Sequence, residues 1–310
     1  MRKRAVKQSP QFSLLIPFRT DDGSREQIFQ WLLAYYRTCL PDAEIITCDD
    51  GGGEAINRSR MRNNCAAQAT TDILLFLDAD TLVDAQYIYQ GVQAIRDGAP
   101  MVQYQNLYWL HEYRTESILR EDPTAGFPAI DHAVDTEHFC ADFPGLMFGM
   151  TRATYDLVGG FDDRMTGWGE EDPAFQCAIR GAIGEIARIP IVLYHMYHAR
   201  GAECSTQTDA WQRNHAIYLE YAAIEQSGDS QAMIDYCQHR QPFVWSPPQP
   251  PQVTSRAALQ FLAPDGKTAD FFLPVCDGAA SPVSVPRWVM YDHFFQRCVT
   301  AGVIQIIEPV

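Results

Sequence analysis

One stretch constrains the fold more than any other. Ile73-Leu74-Leu75-Phe76-Leu77 is an unbroken apolar run, and Asp78-Ala79-Asp80 follows at once. A short continuous run of this kind reads as a strand buried on both faces, as in a mostly parallel sheet covered by helices. Residues two apart on a strand point the same way, so Asp78 and Asp80 are expected to share a face. Open α/β sheets hold ligands beyond the carboxyl ends of their strands. Carboxylates placed there suit hard cations such as Mn²⁺ or Mg²⁺, which bring phosphates with them. The pair points to a metal–diphosphate site. The plainer alternative is a solvated turn, because Asp is common in turns.

Elements before this run repeat its logic. Phe12-Ser-Leu-Leu-Ile16, ending at Pro17, predicts a short buried strand. Ser24 and Gln27 have the spacing of a capping box. Ile28, Trp31, Leu32 and Tyr35 then recur at helical intervals, and Pro41 closes the helix. Glu44–Cys48 predicts a second strand, leading into Asp49-Asp50-Gly51-Gly52-Gly53. The dinucleotide pattern Gly-x-Gly-x-x-Gly is absent. The glycines make either a flexible turn or a backbone that lets a nucleotide lie close, with Asp50 accepting from a base. A polar helix is expected from Ala55 to Ala69, with Arg58 and Arg62 on one face and Arg60 pointing away. In so acidic a chain, arginines beside the sheet's carboxyl edge suggest a diphosphate contact; an exposed basic face is the alternative. Ile88, Val92 and Ile95 give the inward side of a helix from Asp84 to Asp97, and Gly98 ends it. Strands alternating with helices predict right-handed crossovers and a mostly parallel sheet.

Met101–Trp109 reads as a strand. His111–Asp142 shows no clear period and is expected to be an irregular lid or loop. Pro144–Met150 reads as a strand, and Thr151 caps a short helix ending near Val158. Gly167-Trp168-Gly169-Glu170-Glu171-Asp172 then precedes Pro173 and a helix with Phe175, Ala178, Ile179 and Ala182 inward. Asp172 before Pro173 has the form of an N-cap followed by proline. That leaves the neighbouring acids unexplained, since adjacent carboxylates repel unless a site uses them. Glu185–Ile189 and Ile191–Tyr194 are expected as strands broken at Pro190. His195 and His198 follow, and on an extended chain they face opposite ways, so spacing alone supports at most one as a ligand. Helices are expected over Thr208–Gln226 and Asp229–His239. A proline-rich linker over residues 241–252 leads to a β-rich extension, 253–310, with a hairpin turn at Pro264-Asp-Gly-Lys267.

The chain has 310 residues, 46% of them hydrophobic, enough for one large core, or for one core plus a small appendage. Its formal net charge of −15 disfavours nucleic acid and anionic membranes as partners. No apolar stretch is long enough to span a bilayer. The basic start, Met1–Lys7, has no apolar region after it and reads as a frayed tail. Nine cysteines without paired spacing suggest reduced thiols and a cytoplasmic protein; the oligomeric state is open.

In their order along the chain, these motifs resemble those of nucleotide-sugar glycosyltransferases of the A-type (GT-A) fold. The resemblance covers roughly Phe12 to Arg200. It extends to family 2 glycosyltransferases and, in its later part, to β-1,4-galactosyltransferases, polypeptide N-acetylgalactosaminyltransferases and bacterial chondroitin polymerases. It implies a Rossmann-like sheet flanked by helices over 1–240, with a nucleotide half at 12–100 and an acceptor half at 101–240. It implies donor contacts from Pro17, Arg19, Asp50, Arg58, Asp78 and Asp80. Asp80 and His198 would ligate Mn²⁺ or Mg²⁺, with His195 a second candidate. Trp168, Gly169 and Glu171 would meet the acceptor, a glycan or other hydroxyl compound. Asp172 would be the general base, and since retaining relatives carry Asn there, it argues for inversion. Glu170 departs from the pattern, where relatives have a small residue, and a further carboxylate would disfavour an anionic acceptor. The implied activity moves a hexose or N-acetylhexosamine from a UDP-sugar. The same residues would also serve a non-catalytic nucleotide-sugar or glycan-binding module, or a metal-dependent UDP-sugar hydrolase.

Overall fold

A computed structural model describes residues 10–20, 23–52, 55–141, 143–199, 201 and 204–243, together with strands at 255–262 and 268–275. The chain divides into two units, 1–247 and 248–310.

The first unit opens with β1 (Phe12–Pro17), α1 (Ser24–Cys39), β2 (Ala43–Cys48), α2 (Arg58–Gln68) and β3 (Ile73–Leu77). β1 lies between β2 and β3 and pairs with both in parallel. The apolar run that dominates the sequence is buried on both faces, as its composition requires. Leu74 and Phe76 join one core with Leu15, whereas Leu75 and Leu77 join the other with Leu14 and Ile16. The capping box at Ser24 does not form: Gly23 is the N-cap of α1 and no side chain caps it. Asn57 caps α2 instead, its Oδ1 accepting from Arg60 N–H at 2.8 Å.

Next come β4 (Thr81–Leu82), α3 (Ala85–Arg96) and β5 (Met101–Leu110). Asp84 caps α3, and Ile88, Val92 and Ile95 are buried at the expected positions. Each such side chain contributes about 1.5–3 kcal/mol by leaving water. The stretch expected to be irregular carries α4 (Glu112–Arg120), α5 (His132–Asp135) and β6 (Thr136–Cys140). β6 has exposed residues on both faces and so shows no alternation to read. β7 (Met147–Thr151), α6 (Arg152–Leu157), α7 (Glu171–Ile183), β8 (Ala187–His195), α8 (Asp209–Ser227) and α9 (Ser230–Gln238) complete the unit.

The sheet order is β2-β1-β3-β7-β5-β8-β4, with β6 beside β5. The mostly parallel sheet expected from the sequence is realised only in part. β5 and β8 are parallel, but β7 runs against both β3 and β5, and β4 and β6 are antiparallel to their neighbours. β7 follows the long excursion through α4, α5 and β6, and a return of that kind carries no right-handed helical crossover to enforce parallel pairing. Pro190 does not break β8. The register against β5 shifts between Tyr104 and Asn106, leaving an extra residue beside the proline, which has no N–H to donate.

Helices α1 and α3 cover one face; α2, α6, α7, α8 and α9 cover the other. No helix among the described residues is long and apolar enough to cross a membrane. The described cysteines are free thiols. In the second unit, β9 (Ser255–Leu262) and β10 (Thr268–Val275) pair antiparallel. The turn expected between them, most of the proline-rich linker, and Arg200 lie outside the described residues.

Candidate active site

Asp78 and Asp80 lie beyond β3 in a turn, closed by Thr81 N–H donating to the Asp78 carbonyl at 3.1 Å. The turn makes their side chains diverge, contrary to the shared direction expected of a strand. Asp78 goes to Arg62, with Oδ1 accepting from Nη2 at 3.0 Å. Asp80 goes to the end of β8. There Thr81 pairs with His195, and Met196 N–H donates to the Asp80 carbonyl at 2.9 Å. The strand ends at His195, so His198 is not bound by the strand's alternation. Both imidazoles reach Asp80: His198 Nε2 lies 3.2 Å from Oδ2 and His195 Nε2 lies 3.9 Å from Oδ1. The expectation that they face opposite ways is overturned because the chain turns between them.

These three residues offer one ligand atom each, all within 4.8 Å of one another. Asp80 Oδ1 is buried and no described group donates a hydrogen bond to it. A carboxylate oxygen without a donor beside two imidazole nitrogens fits a divalent cation. Burial alone would raise the Asp80 carboxyl. His195, His198 and Arg25, whose Nε is 3.8 Å from Oδ2, outweigh it and hold the group well below the usual carboxylate range.

The second acidic group is built differently. Glu170, with φ of 72°, is the N-cap of α7, and Glu171 and Asp172 occupy its first turn. Asp172 is therefore not the N-cap suggested by Pro173, and its carboxylate is available elsewhere. The three adjacent acids part company. Glu170 Oε1 meets His215 Nδ1 at 2.9 Å, Glu171 Oε1 lies 3.5 Å from Arg62 Nη1, and Asp172 Oδ1 lies 3.1 Å from the same nitrogen. Arg62 is 1% exposed and lies over the Phe161 ring, 4.9 Å from its centroid. Burial works against its charge, but Asp172, Asp78 and Glu171 outweigh this and raise its pKa further. Arg62 is thus committed to carboxylates and is not the diphosphate contact suggested by its helix face. Burial pushes Asp172 up to about 8, against the pull of Arg62 and with the help of Glu171 and Asp78. Burial likewise raises Asp78.

Both groups open onto one cleft of about 630 Å³, lined also by Pro17, Arg19, Arg58 and Trp168. Arg58 Nη1 stands 4.0 Å from Glu171 Oε1. Asp50 sits behind Arg19, 5% exposed, its Oδ2 accepting from Asn57 N–H at 2.8 Å and facing Arg19 Nη1 at 3.4 Å. Gly169 faces Trp211 of α8 and does not line the cleft. Arg25, Trp109, His138 and Phe143 line it without having been singled out in the sequence. Arg25 lies on a helix face that alternation alone does not aim, and the other three fall in or beside the stretch with no period.

Residues 19–148 match the family model described as glycosyl transferase family 2. Residues 131–200 match the one described as the N-terminal domain of galactosyltransferase. The resemblance to glycosyltransferases holds. The two matches overlap across β6 and together span every residue of the cleft from Arg19 to Ala199. No curated protein matched the chain. Among solved structures, the catalytic domain of Drosophila β1,4-galactosyltransferase 7 with xylobiose is similar at 16% identity, over 86% of this chain and 95% of that one, with a TM-score of 0.42. A mutant of that enzyme with manganese, UDP-Gal and xylobiose gives 15%, the same coverage and 0.44. GalNAc-T7 with UDP, GalNAc and Mn²⁺ gives 12%, 74% and 56% coverage, and 0.43. Likeness at this distance assigns no residue a role.

Proposed function

We propose that the chain is an inverting glycosyltransferase that moves a hexose or N-acetylhexosamine, of the Gal, GalNAc or Glc type, from a UDP-sugar to an acceptor hydroxyl. One observation carries this reading: an Asp–His–His set and the Glu171–Asp172 pair, distant in sequence, open onto the same cleft. Asp80, His195 and His198 would hold a divalent cation, which when bound supplies Lewis-acid neutralisation of a diphosphate. Two imidazoles in the set favour Mn²⁺ over Mg²⁺, which prefers oxygen and retained water.

Arg19 and Arg58 present guanidinium groups suited to the diphosphate. Pro17 shapes the nucleotide end of the cleft, and Asp50 accepts from the uracil imide. Asp78 stands between Arg62 and the donor. Trp168 offers a flat surface for a sugar ring, Gly169 shapes the loop behind it, and Glu171 orients the acceptor. Asp172 takes the acceptor hydroxyl's proton while that oxygen bonds to the anomeric carbon. The bond from that carbon to the diphosphate oxygen breaks on the opposite face, and UDP leaves. A carboxyl raised by burial is a proton acceptor matched to neutral or mildly basic solution, which supports this role.

The test is incubation with a panel of UDP-sugars and Mn²⁺, with and without glycan acceptors. The expected result is UDP release that an acceptor increases, with the sugar found on the acceptor. Release that no acceptor increases would make the protein a hydrolase. Binding without release would make it a binding module.

A further inference from the structure

The loop that delivers Trp168, Glu171 and Asp172 to the cleft is held from behind by one face of α8. Trp211, Asn214 and His215 are spaced i, i+3, i+4 and so share that face. Asn214 is 1% exposed, and its amide donates to the carbonyls of Thr166 at 3.1 Å and Gly169 at 3.0 Å. A Cβ at Gly169 would come within 2.6 Å of Trp211 Cδ1, so the loop and helix approach as closely as glycine allows. Glu170 adopts the left-handed conformation, which side chains with a Cβ rarely take unless their surroundings hold it. Its side chain meets His215, whose Nδ1 lies 2.9 Å from Glu170 Oε1 and whose ring stacks on Trp211 at 4.7 Å between centroids. This also explains the carboxylate at position 170, whose residue does not line the cleft.

We infer that this face of α8 is a clamp that sets where Glu171 and Asp172 point, with Asn214 and His215 as positioning residues. The inference rests on the reading of Asp172 as proton acceptor. α7 starts at Glu171, so its first turn takes its direction from Glu170 and from the carbonyl of Gly169. With a glutamate in the left-handed conformation at position 170, loosening either contact shifts the acids without touching Asp80, His195 or His198.

Four variants test this: Asn214→Ala, His215→Phe, Glu170→Gly and the double variant Glu170→Gly/His215→Phe. His215→Phe keeps the stack on Trp211 and removes the nitrogen. Glycine adopts the left-handed conformation unaided. Asn214→Ala and His215→Phe are each expected to cut acceptor-dependent turnover by about a hundredfold, the cost of roughly 1 Å of misplacement. Calorimetric binding of UDP with Mn²⁺ should stay unchanged. Glu170→Gly should keep turnover, and His215→Phe should do no further harm in that background. Hydrogen exchange should rise over 166–171 in Asn214→Ala and nowhere else. Unchanged exchange there, parallel loss of UDP binding, or full harm from His215→Phe beside Glu170→Gly would overturn the clamp. Wild-type protein that transfers no sugar, with the exchange response intact, would instead defeat the glycosyltransferase reading alone.

Discussion

Asp80 and Asp172 share a cleft, and their surroundings treat them in opposite ways. Two imidazoles and Arg25 hold Asp80 well below the ordinary carboxylate range. Burial pushes Asp172 up to about 8, although Arg62 touches it. The difference lies in how the cations are shared. Asp80 has its imidazoles and Arg25, whereas Asp172 divides the Arg62 guanidinium with Glu171 and Asp78 and feels Arg58 only as its smallest influence. A carboxylate that stays ionised suits a cation, and one that titrates near neutrality suits proton transfer. Divergent pKa values within one cleft fit the proposed division into a binding end and a reacting end.

The largest effect expected is on the reacting end. Arg62→Met removes a buried cation that faces three carboxylates and should cost about 3–5 kcal/mol of stability in urea unfolding. A loss below about 1 kcal/mol would show that those carboxylates do not depend on it, and the contrast with Asp80 would lapse. The pH profile comes next. A base must be unprotonated, so with Mn²⁺ saturating, kcat/KM should fall about tenfold per unit as pH drops below Asp172's raised value of about 8. An acid limb placed near 4 instead would mean that burial does not govern Asp172.

Packing behind the binding end should matter less. A methyl added at Gly91 would overlap the Tyr104 hydroxyl of β5, the strand whose far end pairs Trp109 with His195. Gly91→Ala should lower stability by about 1–3 kcal/mol and leave the acid limb in place. The smallest effect is Arg60→Ala, on the same helix as Arg62. Its 3.7 Å pair with Asp163 is exposed on both sides, and stability should change by about 0.5 kcal/mol or less.

Period and composition made the central strands legible. Ile73–Leu77 had to be buried on both faces, and Ile88, Val92 and Ile95 had to face inward, because burial alone decides those positions. Of the candidate site, what was legible is that Asp80, Glu171 and Asp172, singled out by residue type, line one cleft. It was illegible where a chain reversal decides direction. His195 and His198 converge because β8 ends between them, and no alternation rule reaches past a strand's end. Asp78 turns toward Arg62 for the same reason. Arg62 itself looked like one half of a basic face, because spacing shows which side of a helix a residue takes and not which carboxylates lie opposite. Glu170 looked like an intrusion on the acceptor until α8, more than forty residues later, supplied His215.

The decisive measurement is calorimetric titration of UDP, with and without Mn²⁺, into the wild-type protein, Asp80→Ala and Asp172→Asn, alongside transfer rates. Asp80→Ala is expected to lose the Mn²⁺-dependent part of UDP binding. Asp172→Asn is expected to bind UDP as the wild type does while turnover falls by about 10²–10⁴-fold. Turnover preserved in Asp172→Asn, or wild-type UDP binding indifferent to Mn²⁺, would contradict the division of the cleft into these two ends.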